Sequence, residues 1–187
     1  MPPKTKVSQE MVMNGAMKIV RESGVEGLNV RSLAKELNCS TQPIFSRYKN
    51  VDELKTDLIK TAYDLYFSFI TEDMQNSKYP PYKSMGMSYI RFAIEEKNLF
   101  KLLFMSPRKE EKDLITNDWQ LAVLLIRQTL GVTEEIATKI QFEMWSFVHG
   151  IAVMQATSFV ELSLAEISDH MSSIYNGLKI TYGVKND

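Results

Sequence analysis

The 187-residue chain holds one cysteine and two histidines. A single thiol excludes an internal disulfide framework and suits a reducing compartment. The histidines, His149 and His170, have no second His or Cys at ligand spacing, so no metal site is expected. No uninterrupted apolar run approaches the roughly 18 residues that a membrane span needs. The first residues, Met-Pro-Pro-Lys-Thr-Lys, show no apolar signal segment. These absences point to the cytoplasm and away from a membrane. There is also no Gly-rich phosphate loop, no nucleophile elbow and no metal cluster, so neither an enzyme nor a cofactor is expected. No strand pattern, internal repeat or low-complexity tract stands out.

Hydrophobic residues make up 44% and charged residues 24%, as in an ordinary soluble globular protein. The net charge of −1 hides an asymmetry. Residues 1–60 hold 10 Lys/Arg against 7 Asp/Glu, and residues 61–187 hold 12 against 16. A weakly basic head on an acidic body suits an N-terminal end that meets phosphates. A solvated surface of mixed charge has the same composition.

Helical periodicity runs through almost the whole chain, which predicts an all-α fold of about nine helices. Ser8 can cap a first helix, with Val12, Ala16, Ile19 and Val20 on one face and Gly24 as its stop. Asn29 can cap a second, with Leu33, Ala34 and Leu37 inward. Asn38-Cys39-Ser40 reads as a turn in which Cys39 is buried. Ser40 can cap a third helix over 40–49, with Pro43 in its first turn, where the missing N–H is no loss. Asn50 can cap a fourth that runs to about residue 77, with Asp52 and Glu53 complementing its dipole. Pro80-Pro81 marks a break. Further helices are expected near 82–97, 98–105, 112–130, 133–157 and 163–183, the last opened by a Ser163/Glu166 capping box.

The second and third helices form the plan of a helix-turn-helix reader, whose second helix enters the major groove. In the third, Ile44, Phe45 and Tyr48 can pack inward or against the backbone, while Thr41, Gln42, Ser46 and Arg47 can face outward. Gln42 suits an adenine edge, Thr41 a thymine methyl, Arg47 a guanine or phosphate, and Lys49 a phosphate. A short amphipathic helix in any all-α protein has the same pattern.

The residue order narrows that choice. Ser8, Gly24, Leu28, Leu33-Ala34, Leu37, Ser40, Ile44-Phe45, Tyr48 and Leu54 resemble the N-terminal domain of the TetR (tetracycline-repressor-like) family of bacterial transcriptional regulators. That family's usual string is Ala-Gly-Val-Ser, three variable residues, Leu-Tyr-x-His-Phe, then a Lys before the next helix. Here it reads Leu37-Asn38-Cys39-Ser40, Thr41-Gln42-Pro43, then Ile44-Phe45-Ser46-Arg47-Tyr48. The usual Gly is Asn38, a residue that accepts a left-handed turn. Phe45 loses the usual tyrosine hydroxyl, Arg47 replaces His, and Val51 stands for the usual Lys. Arg47, Lys49 or the N–H groups at the start of the fourth helix would then have to hold phosphate.

The resemblance covers residues 8–60 and implies a three-helix, homeodomain-like head over 1–49. It implies a helical effector-binding and dimerisation domain over 50–187. DNA contacts would come from Asn29, Ser40, Thr41, Gln42, Ser46, Arg47, Tyr48 and Lys49. The partners implied are a palindromic double-stranded operator, a second copy of the chain and a small apolar or aromatic effector. Apolar residues independently suit pairing of the last two helices: Ile140, Met144, Phe147, Val148, Ile151 and Met154 in one, and Leu164, Ile167, Met171, Ile174, Leu178 and Tyr182 in the other. Burial in one monomer core is the alternative. Candidate pocket residues are Tyr63, Phe67, Met85, Tyr89, Phe92, Phe104, Trp119, Met144 and Trp145, with Tyr66 beside them. Each also fits ordinary core. His149 reads as a hydrogen-bonded core histidine. The function expected is a transcriptional repressor released by a small molecule. The competing reading is a helical ligand carrier or interaction module without specific DNA binding.

Overall fold

The computed structural model describes residues 7–76, 78–106 and 112–184, the side chains of 112–117 excepted. Helix α1, Gln9–Ser23, starts where Ser8 Oγ accepts from the Met11 N–H at 3.1 Å. It stops at Gly24, whose φ of 71° lies in the left-handed region that favours glycine. A single 3-10 turn, Val25–Gly27, leads to α2, Val30–Glu36. The Asn29 side chain accepts from the Arg31 and Ser32 N–H groups at 3.0 Å, and the Asn29 N–H donates back to Ser32 Oγ. That is a capping box with serine in place of the usual Glu. Helix α3, Gln42–Phe45, is followed by α4, Val51–Asn76, and α5, Pro81–Glu95. Then come α6, Lys97–Phe104, α7, Lys112–Leu130, α8, Glu134–Ala156, and α9, Leu164–Thr181. The Ser163/Glu166 capping box opens α9 as expected. The all-α expectation is met, with nine α-helices and no strand among the described residues.

Two compact units divide the chain. The first runs to Leu65 and takes in Glu96–Ser106; the second holds Tyr66–Glu95 and the chain after Ser106. Helix α4 is continuous and contributes its first half to one unit and its second half to the other. The compact first unit extends beyond the 1–49 expected for the head, to Leu65 and over Glu96–Ser106.

The first unit buries Val12, Ala16 and Val20 of α1, Leu33 of α2, Ile44 of α3, Leu54 and Leu58 of α4, and Leu99, Phe100 and Leu103 of α6. Gly15 allows α1 and α2 to touch: a Cβ there would sit 3.0 Å from Leu33 Cδ1. Arg21 grips the Glu96 carboxylate with two nitrogens, at 2.9 and 2.8 Å, and Asn98 Nδ2 donates to the Arg21 carbonyl at 2.8 Å. The fork geometry fixes α6 on α1 more than a point-charge pair would.

In the second unit, α8 packs against α5, α7 and α9. Ile90, Phe92, Ile126 and Ile140 are fully buried there. The end of α4 is tied to α5 through Asp73, which accepts from Ser88 Oγ at 2.8 Å and Arg91 Nε at 3.1 Å. The pairing-face assignment needs correction. Ile140, Met144, Val148, Ile151, Ile167 and Met171 are buried inside this unit. The large apolar side chains that face out are Phe142 and Trp145 on α8, with Leu164, Ile174 and Ile180 on α9. Helix α8 is apolar on two sides, so periodicity alone could not say which side meets its own core.

Phe92 is fully buried, with Tyr66 and Phe69 edge-on to its ring at 5.4 and 5.3 Å. Phe92→Ala removes that contact surface and leaves a cavity. It is expected to cost about 3–5 kcal/mol, read as a lowered midpoint in urea denaturation.

Candidate nucleic-acid interface

The third helix is shorter than the 40–49 expected. Pro43 and the residue before it restrict its start, and only Gln42–Phe45 are helical. The chain then tightens: the Arg47 and Tyr48 N–H groups both donate to the Ile44 carbonyl, at 2.9 and 3.0 Å. Ser40 does not cap it. Thr41 holds the cap position, in helical conformation and without a side-chain hydrogen bond. Asn38 has φ 49°, the left-handed turn conformation that glycine usually supplies. Cys39, expected to be buried, is half-buried.

What holds so short a helix is its inner side. Ile44 is 1% and Tyr48 3% exposed. The Tyr48 hydroxyl is buried beside Gln9 and Asp57 without a hydrogen bond of good geometry, and that burial raises its pKa. Tyr48 therefore serves the core of the head, and its ring is not presented to a groove. Phe45 takes the opposite course: of the two placements its sequence position allows, inward or against the backbone, it does not take the inward one and is 51% exposed.

The other residues assigned to DNA contacts lie on the surface of the same unit. Asn29, Ser40, Gln42, Ser46, Arg47 and Lys49 are exposed, and Thr41 is half-buried. Several are already engaged. Asn29 spends its carbonyl oxygen on the α2 cap. Ser46 Oγ donates to the Pro43 carbonyl at 2.7 Å. Arg47 Nε donates to the Val7 carbonyl at 3.2 Å, which orients its guanidinium. Arg31 and Lys35 on α2 are also exposed cations, and sequence reasoning passed over both. By contrast Lys18 is neutralised by Glu36 at 2.7 Å.

The start of α4 does not offer the phosphate site that its N–H groups suggested. The Glu53 N–H donates to Asn50 Oδ1 at 2.8 Å, and the Glu53 carboxylate accepts from the Lys49 N–H at 2.7 Å. With Asp52 beside Glu53, this terminus already carries its own negative charge. An incoming phosphate would meet two carboxylates. Arg47, Lys49, Arg31 and Lys35 are exposed cations of the same unit.

The candidate pocket residues do not all share a unit. Tyr63 and Phe104 belong to the first; Phe67, Met85, Tyr89, Phe92, Trp119, Met144 and Trp145 belong to the second. Tyr89 is T-shaped to Tyr66 at 5.9 Å, and Trp119 is edge-on to Trp145 at 6.4 Å. A cavity of about 300 Å³ lies elsewhere, on the head, lined by Gln9, Glu10, Met13, Tyr48, Asp57, Lys60 and Thr61.

Comparison with known proteins adds to this geometry. Residues 82–172 match the family model described as tetracyclin repressor-like, C-terminal domain. The chain is 20% identical over 188 residues to an uncharacterized HTH-type transcriptional regulator, YobS, of Bacillus subtilis (strain 168); 96% of this chain and 97% of that protein are covered. Its fold is similar to that of a protein of unknown function from Rhodococcus sp. RHA1. There the TM-score is 0.76 at 16% identity, over 95% of this chain and 98% of that one. A TetR-like transcriptional regulator from the same organism gives a TM-score of 0.67 at 12% identity, over 94% and 96%.

His149 offers a test of the second unit. Its Nδ1 lies 2.8 Å from the Tyr89 hydroxyl, and its ring stacks on Trp145 with centroids 5.0 Å apart. Burial lowers its pKa below the ordinary 6.5. A base whose folded-state pKa is depressed resists protonation only while folded. Its share of stability is intact above the unfolded value and is lost as pH falls toward the folded one. The wild-type urea midpoint should therefore fall relative to that of His149→Gln between about pH 7 and pH 5. Parallel curves would show that His149 protonates as easily folded as unfolded.

Proposed function

We propose that the chain is a TetR-family transcriptional regulator, as its matches to that family support, and that it binds a palindromic operator as a homodimer and leaves it when a small molecule occupies its C-terminal unit. The observation that carries this reading is α3 itself. Two buried side chains, Ile44 and Tyr48, support a single turn whose outer residues, Gln42 and Phe45, face solvent beside exposed Arg47 and Lys49. Cations there supply sequence-independent affinity, and the side chains on the turn supply base choice.

Dimerisation is supported by the outward side of α8 and α9. Phe142 is 57% and Ile180 70% exposed, an expensive arrangement for a lone chain. Gly150 and Gly177 lie on the same two helices, and a Cβ at either would meet nothing within 4 Å. Small residues beside large apolar ones suit the close approach of a partner helix. A two-fold dimer presents two reading turns, matching half-sites about 34–36 Å apart.

The effector reading rests on the aromatic and Met side chains of the second unit, Phe67, Met85, Tyr89, Trp119, Met144 and Trp145 among them. Such residues make adaptable surroundings for an apolar or aromatic molecule. Helix α4 carries residues of both units, and is the segment through which an effector in the second unit would act on the first. That ligand must bind the DNA-free form more tightly, by about 1–3 kcal/mol in typical coupled systems.

Selection of genomic fragments on the purified protein at moderate salt tests the central point. A palindrome with half-sites about 10 base pairs apart, centre to centre, or a multiple of that, should emerge. If none does, the ligand-carrier reading takes over. On the selected site, Arg47→Ala should cost about 1–3 kcal/mol and relax one base preference if it reads a base. A uniform loss across all sequences, with a shallower salt dependence, assigns it to phosphate.

A further inference from the structure

We propose that Phe45 is a base-reading residue: its ring takes the C5-methyl of a thymine in the major groove, beside an adenine held by Gln42. The proposal rests on the DNA-binding reading above and adds the base composition that α3 selects.

Three observations carry it. First, Phe45 is 51% exposed on a turn whose inner side is already filled by Ile44 and Tyr48, so its ring is not needed to hold the head together. Second, two of the polar side chains beside Phe45 are already engaged. The Ser46 hydroxyl donates to the Pro43 carbonyl, and Arg47 spends Nε on the Val7 carbonyl. The Gln42 amide is exposed and has no hydrogen-bond partner among the described residues. Third, Gln42 and Phe45 are three residues apart on one helical turn. Their Cβ atoms are then about 5–6 Å apart, a span of one to two base steps at about 3.4 Å each.

The chemistry selects the partner. In the major groove the thymine C5-methyl is the apolar group that a base pair presents, and adenine N6 and N7 match the two ends of a glutamine amide. A phenyl ring over guanine or cytosine would strip water from O6, N7 or N4 and return no hydrogen bond, which is unfavourable. Gln42 and Phe45 thus favour A·T at the same or the adjoining base pair.

The test uses the palindrome obtained by fragment selection, with each thymine replaced in turn by 2′-deoxyuridine, which removes only the methyl. Wild-type protein should lose about fourfold in affinity per half-site at one thymine, the worth of one buried methyl; a second thymine whose response survives in Phe45→Ala belongs to another side chain, such as Thr41. Phe45→Ala should bind more weakly and show no response at that thymine, while still discriminating at the adenine assigned to Gln42. Phe45→Leu should keep part of the response. An unchanged melting temperature for Phe45→Ala excludes loss of the head as the cause. If no thymine responds in the wild type, or if Phe45→Ala responds as the wild type does, the proposal fails and DNA binding stands. If no specific site is selected at all, the DNA-binding reading fails first and the proposal with it.

Discussion

A helix of four residues cannot hold itself together in water, because nucleation fixes several residues for one hydrogen bond. Whatever α3 presents, it presents because Ile44 and Tyr48 are buried under it. Their burial fixes the direction of every outer side chain on the turn. The rest of the first unit supports those two residues. Asn29 caps α2, Gly15 lets α1 and α2 touch, and Asn38 makes the turn between α2 and α3. The forked Arg21–Glu96 contact extends that support to α6. Tyr48 illustrates the trade: expected among the DNA contacts, it gives its ring to the core.

Charge is distributed to match. Where the head carries unpaired cations, at Arg31, Lys35, Arg47 and Lys49, no carboxylate neutralises them among the described residues. Where a helix terminus could have taken a phosphate, at the start of α4, Asp52 and Glu53 occupy it. On the proposed reading, affinity for a polyanion depends on these cationic side chains more than on backbone N–H groups. Discrimination then falls to the few groups on α3 that point outward, one of them a phenyl ring.

Much of the fold was legible in the sequence. Caps at Ser8, Asn29 and Ser163, a stop at Gly24 and a break at Pro80-Pro81 set the helix boundaries, because capping is local chemistry. The misreadings share one cause: direction. The sequence leaves Phe45 free to pack inward or against the backbone, and only the structure shows it exposed; most of the apolar residues that suit a pairing face on α8 and α9 face the unit's own core. Period alone cannot choose between two apolar sides of one helix. The third helix was overextended because its polar residues continue to Lys49, while backbone tightening after Phe45 leaves no trace in composition. Arg31 and Lys35 were visible as charges, but only their lack of a carboxylate partner distinguishes them from Lys18.

Amide hydrogen exchange on the full chain, with and without the selected palindrome, tests most directly whether the turn held by Ile44 and Tyr48 is the reader. Added DNA should slow exchange chiefly over residues 29–49, which hold α2, the Asn38 turn and α3. Unchanged exchange there, with protection confined to other segments, would contradict it.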